Sequence, residues 1–146
     1  MRVLRNHGQT ERYRHDVLGY HFRSNDLQAA IGLAQMDRLA EWNAQRVAHA
    51  AYLSERLRGV QTPVVRDDRT HVFHQYTIRV PAHLRDALQA HLRELGIGTA
   101  IHYPLPIHQQ PLYRSLGYTD ELPHAQAAAQ TVLSLPIHPA LTRADL

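Results

Sequence analysis

The sequence predicts an α/β fold, with one long helix leading into a small sheet of three-strand class and flanking helices. Three observations carry this. A helical pattern runs from Ser24 to Gly59 with no proline before Pro63, a strand, a helix and a second strand follow between His71 and Tyr103, and a short apolar stretch, "VLSLPIHP", ends in two prolines.

Taken in order, residues 1–8 end in "RNHG", which reads as the last turn of a helix with Gly8 just beyond its cap. Residues 9–23 are polar, rich in tyrosine and histidine and without period, so an extended loop is expected. Ser24 or Asn25 can then accept from the free amides of a new first turn, and Asp26 suits its positive end. Leu27, Ala30, Ile31, Ala34, Leu39, Trp42, Leu53 and Leu57 follow helical spacing as far as Gly59. About 34 residues of helix span about 50 Å, against about 38 Å across a compact domain of this length. Such a helix overhangs its own domain and is expected to pack on a missing domain or a second subunit.

"HVFHQYTIRV" at 71–80 reads as a strand ended by Pro81, residues 85–95 as an amphipathic helix stopped by Gly96, and "IGTAIHY" as a second strand. Residues 109–117 and 120–132 suggest two short helices, and "VLSLPIHP" a third strand. In "LTRADL", Thr142 with Asp145 three residues on has the pattern of a capping box that opens a helix. One end reads as a helix tail and the other as a helix start, so a fragment of a larger protein is expected.

The bulk composition excludes several chemistries. Without cysteine there is no disulfide, no thiolate nucleophile and no cysteine-ligated metal. No apolar run approaches the roughly 20 residues of a membrane span, and the N-terminus lacks the apolar stretch of a signal peptide, so no membrane partner and a cytoplasmic location are expected. All sixteen basic residues are arginine; there is no lysine. Residues 1–23 hold five arginines against two acids, whereas the other eleven arginines meet eleven acids, so the net charge of +3 sits at the N-terminal end. Such a patch suits phosphate on a nucleotide, a cofactor or nucleic acid, or is simply a solvated basic face.

The stretch "GTAIHYPLPIHQQPLY" packs two histidines, two tyrosines and three prolines into a stiff loop, the kind of frame on which sites are built. His102 and His108 could converge there, but no acid lies between them to complete a three-ligand metal set. His71 and His74, three apart in a predicted strand, should point to opposite faces and cannot chelate one ion without a bulge. No metal site is expected. Ser24, Ser54, Ser115 and Ser134 sit in no nucleophile elbow, and the seven glycines are too scattered for a phosphate loop.

Together, "LRNHGQ", "DVLGYHFRSNDLQAAIGLAQMDRLAEWNAQR", "HVFHQYTIRV", "GIGTAIHYPLPIHQQPLYRSLGY" and "VLSLPIHPALT" closely resemble the C-terminal portion of the DegT/DnrJ/StrS-type sugar aminotransferases. The resemblance implies a truncated member of a pyridoxal-phosphate-dependent family that moves an amino group from glutamate or glutamine to a nucleotide-linked keto-sugar. It implies the fold-type I architecture, with residues 1–23 as a remnant of the large domain and an interface loop, 24–58 as the connector helix and 59–146 as the small α/β domain, its last helix truncated. Family members are homodimers with active sites built across the interface. The family segment matching "GYHFR" places an asparagine on the cofactor phosphate of the neighbouring subunit; here that position is His21, and Arg23 matches the family arginine. The segment "IHYPLPIH" matches the stretch near the sugar nucleotide, which makes His102, Tyr103 and His108 substrate-side candidates. The family's Schiff-base lysine has no counterpart, and arginine, whose guanidinium stays protonated and is a poor nucleophile, cannot replace it. No catalytic residue is therefore assigned, and inactivity of the chain alone is expected. The alternative is a non-catalytic module holding nucleotide-sugar or nucleic acid; nucleic acid is not the expected partner.

Overall fold

The structure, a computed structural model, describes all of residues 1–146. The chain divides into two units, 1–40 and 41–146, with one helix running out of the first and ending in the second.

In the first unit, helix α1 (Arg2–Arg5) is followed by a small antiparallel hairpin of β1 (Gln9–Glu11) and β2 (Arg14–His15). The expected loop at 9–23 is thus partly paired. Its ends are held by backbone bonds: His7 donates to the Tyr20 carbonyl at 3.0 Å, Tyr20 to Leu4 at 2.7 Å and Phe22 to Arg5 at 2.9 Å. The chain crosses itself so closely that only glycine fits. A Cβ on Gly8, whose φ is +70°, would lie 1.7 Å from the Val17 carbonyl oxygen, and one on Gly19 would lie 1.9 Å from the Gly8 nitrogen. The Thr10 hydroxyl and the Arg14 Nε both donate to Asp16, and these bonds hold its carboxyl below the usual carboxylate range.

Helix α2 (Asp26–Arg56) opens with a reciprocal cap. The Asn25 carboxamide oxygen accepts from the Gln28 amide at 2.8 Å, and the Asn25 amide donates to Gln28 Oε1 at 3.1 Å. Of its 31 residues only Ala50 and Leu53 are buried.

In the second unit, β3 (Tyr76–Arg79) pairs antiparallel with β4 (Val132–Leu135), with Tyr76 opposite Leu135 and Thr77 opposite Ser134. Helix α3 (Ala82–Glu94) follows β3, and α4 (Pro111–Ser115) and α5 (Pro123–Thr131) precede β4. The second expected strand, 97–103, shrinks to a single antiparallel bridge between Ala100 and Ser134, and a matching bridge joins Gln61 to Arg79 on the other edge. The next pairs of this register would set Gly98 opposite Pro136, which supplies no amide, and His102 opposite Val132, where β4 begins, so the ladder does not extend. Segment 100 is antiparallel to β4 and β4 to β3, so β3 and segment 100 run parallel with β4 inserted between them. The core gathers Ala50, Leu53, Phe73, Tyr76, Ile78, Val80, Leu133 and Ile137. Tyr76, Ile78 and Leu133 face it by the period of two, leaving Thr77 and Ser134 on the opposite face.

The expected strand 71–80 is shortened by a turn. Phe73 has φ +48° and its amide donates to His71 Nδ1 at 2.9 Å, which drives its ring into the core beside Tyr76. His71 and His74 therefore lie ahead of the strand and not on its two faces. The expected helix opening at Thr142 is a single turn, with the Thr142 amide and hydroxyl donating to Asp145 Oδ2 at 2.8 and 2.6 Å.

Candidate functional site

The second unit contains an open cavity of 810 Å³ between the 102–110 loop and helices α4 and α5. Its size falls within the range of small-molecule sites. His102, Tyr103 and His108 all line it, brought together because Pro104 and Pro106 stiffen the loop and a 3-10 turn over Ile107–Gln109 folds His108 inward. The rest of the wall was not visible in sequence: Tyr113 and Tyr118 meet edge to face with centroids 5.7 Å apart, and Ala125, Ala128 and Ala129 of α5 leave the space that larger side chains would fill. The alanines at 125, 128 and 129 follow helical spacing, the one signal that could have marked this wall.

The three histidine and tyrosine side chains differ in their surroundings. Tyr103 is 73% exposed. His108 is buried, and the Gln126 carboxamide bridges it to Glu121, donating to His108 Nε2 at 3.3 Å and to Glu121 Oε2 at 2.7 Å. A donor at Nε2 leaves the proton of neutral His108 on Nδ1. His102 Nδ1 lies 3.1 Å from Ser134 Oγ, which is 2.8 Å from Thr77 Oγ1, and the His102 ring stands edge-on to that of Tyr103. No arginine lines this cavity, so its walls offer a carbohydrate ring apolar contact and histidine donors but no cation for a diphosphate.

His21 and Arg23 belong to the first unit. Residues 20–23 run extended beside α1, so side chains alternate: Tyr20 and Phe22 stack at 5.1 Å on one side, while Arg23 Nη2 donates to His21 Nε2 at 3.3 Å on the other. The His21 ring meets His7 edge-on at 5.1 Å. Both His21 and Arg23 are exposed. An arginine and an imidazole side by side, without a carboxylate between them, form a donor set suited to a phosphate. In the whole chain no group of three histidine or acidic side chains converges as a metal site, and no helix is long and apolar enough to cross a membrane.

The sequence profile of the DegT/DnrJ/EryC1/StrS aminotransferase family matches residues 1–146. Over 146 residues the chain is 49% identical to the pleiotropic regulatory protein of Geobacillus stearothermophilus, covering 96% of this chain and 39% of that protein. It is 40% identical over 147 residues to the dTDP-3-amino-3,4,6-trideoxy-alpha-D-glucose transaminase of Streptomyces venezuelae, covering 98% and 38%. Among solved structures, S. venezuelae DesV in complex with a ketimine intermediate superposes with a TM-score of 0.86 at 40% identity, covering 99% of this chain and 39% of that one. The sugar aminotransferase CalS13 of Micromonospora echinospora gives 0.85 at 26% identity, covering 99% and 40%. The chain thus spans about 39% of the length of the relatives it matches.

Proposed function

Because this chain belongs to the DegT/DnrJ/EryC1/StrS aminotransferase family, we propose that it supplies the connector helix and small C-terminal domain of a fold-type I, pyridoxal-phosphate-dependent enzyme. That enzyme aminates nucleotide-linked keto-sugars in amino-sugar biosynthesis, working as a cytoplasmic homodimer with an amino-acid donor. The observation that carries the reading is the convergence of His102, Tyr103 and His108 on one cavity, in a fold shared with solved sugar aminotransferases.

Bound pyridoxal phosphate supplies the electron sink through which an amino group moves between donor and acceptor carbons. Reaction also needs a lysine amine, and this chain has none, so alone it is inactive. Its own residues bind and orient. Arg23 and His21 donate to the cofactor phosphate, with the imidazole taking the part of the asparagine that the family resemblance implies at that position. His102 donates to an oxygen of the sugar substrate, Tyr103 covers the ring, and His108, tied to Gln126, shapes the wall.

The test is a titration of the 146-residue chain followed through its histidine ring signals. Pyridoxal phosphate is expected to move His21, and UDP or dTDP sugars to move His102. Formation of amino-sugar by the chain alone, given cofactor, glutamate and a keto-sugar nucleotide, would sink the reading, as would shifts spread evenly over all twelve histidines.

A further inference from the structure

His108 is 7% exposed, and its two ring nitrogens have different surroundings. Nε2 is 3.3 Å from Gln126 Nε2, and that same amide nitrogen is 2.7 Å from Glu121 Oε2. Nδ1 has no protein partner, yet the buried side-chain atom that the chain leaves without one is His49 Nδ1 alone. His108 Nδ1 is therefore reachable from outside, and the open space beside His108 is the 810 Å³ cavity that it lines.

Glu121 decides which way the Gln126 carboxamide faces. A carboxylate oxygen only accepts, whereas a carboxamide offers a donor nitrogen and an acceptor oxygen. Turned over, the carboxamide would set its own oxygen against Glu121, acceptor against acceptor, so the nitrogen keeps that place. An amide nitrogen does not accept. His108 Nε2 is therefore the acceptor, and the one proton of the neutral ring sits on Nδ1. The opposite tautomer would set one N–H against another, losing this bond and leaving a ring donor unmet.

We propose that Gln126, oriented by Glu121, is a positioning residue that holds His108 as the Nδ1–H tautomer, and so makes it a hydrogen-bond donor into the cavity for a neutral, oxygen-bearing ring. The walls favour a neutral ligand, because Asp120 lines the cavity and no arginine does, so a phosphate would meet a carboxylate and no cation. A carbonyl on such a ring accepts from Nδ1–H, and its hydroxyls donate to Asp120. The role toward a ligand rests on the reading of this cavity as the sugar side; the tautomer does not. One hydrogen bond of ordinary strength, present in one tautomer and lost in the other, favours Nδ1–H roughly five-fold.

The experiment is two-bond proton–nitrogen correlation on the isotope-labelled 146-residue chain, with the His108 ring assigned through its own backbone. Mildly alkaline solution keeps imidazole neutral. The expected wild-type ring is predominantly Nδ1–H. Gln126→Met, similar in length but without a donor, should lower the Nδ1–H to Nε2–H ratio roughly five-fold, and Gln126→Glu, which only accepts, should bring a proton onto Nε2. A glutamine that merely fills space would leave the ratio unmoved in Gln126→Met. The proposal is overturned by a wild-type His108 protonated on Nε2, a result that needs no variant to fold, or by a Gln126→Met ratio equal to wild type. N-acetylglucosamine, a neutral ring with an acceptor carbonyl, should shift the His108 Nδ1 signal, and inorganic phosphate should not; a shift with phosphate would overturn the neutral class. If the ring is Nδ1–H but the sugar leaves it unmoved, the sugar-side reading fails while the role of Gln126 stands.

Discussion

Tyr76 shows how one side chain serves both packing and polarity. Its ring has no exposed surface, and its hydroxyl meets Ser54 Oγ at 2.8 Å, joining β3 to α2. Burial pushes its pKa above the usual tyrosine value near 10, with the Ser54 bond pulling more weakly the other way. An unfolded chain therefore releases this proton first, so the stability gained from the neutral buried phenol is complete below about pH 10 and is lost as pH rises past it. Tyr76→Phe is expected to cost about 1 kcal/mol at pH 7 and to soften the alkaline decline; urea unfolding between neutral pH and pH 11 measures both. The sequence marks Tyr76 as a strand residue but cannot supply Ser54, which lies 22 positions away. The same holds for Ser134 and His102, 32 apart.

Among the elements, α2 depends most on local rules at its start and on packing at its end. Asn25 and Gln28 close the first turn, and beyond them Leu27, Ile31, Leu33, Met36 and Leu39 are all exposed. Its amides before residue 40 should exchange with solvent much faster than those around Ala50 and Leu53, as read by hydrogen exchange. Asn25→Ala should remove about 1 kcal/mol of capping and spread fast exchange further along the helix. Gly8 is a sharper case, because an added Cβ falls on the Val17 carbonyl and its positive φ disfavours any other residue. Gly8→Ala should erase the dispersed NMR signals of residues 4–22 while leaving those of β3 and β4 in place.

For the whole molecule, every buried hydrophobic residue belongs to the second unit. A cooperative thermal transition is expected from residues 41–146, with the first unit losing its structure earlier and without a sharp heat-capacity peak. Calorimetry beside residue-resolved NMR would separate the two. The apolar side chains on the first part of α2 suit contact with a second copy of the chain or with a domain outside it. If a second copy covers them, sedimentation should show self-association that Ile31→Glu with Met36→Glu weakens; a monomer in both would leave the outside domain as the partner.

The sequence by itself determined what local chemistry can determine: the long helix and a polar cap at residue 24 or 25, the breaks at Gly8, Gly96 and the prolines, the α/β alternation, and the family through five ordered blocks. It also determined what the chain cannot do, since a protein without lysine has no side-chain amine for Schiff-base chemistry. Tertiary structure decided which residues meet. Phe73 turned inward because its ring found the core, which shortened β3; Ala100 kept a single bridge because Pro136 faces it on one side and β4 begins on the other; and the cavity wall came from tyrosines and alanines of α4 and α5 brought onto the 102–110 loop. Those outcomes turn on contacts between residues distant in sequence, whose energies depend on how the chain closes and not on any neighbouring pattern.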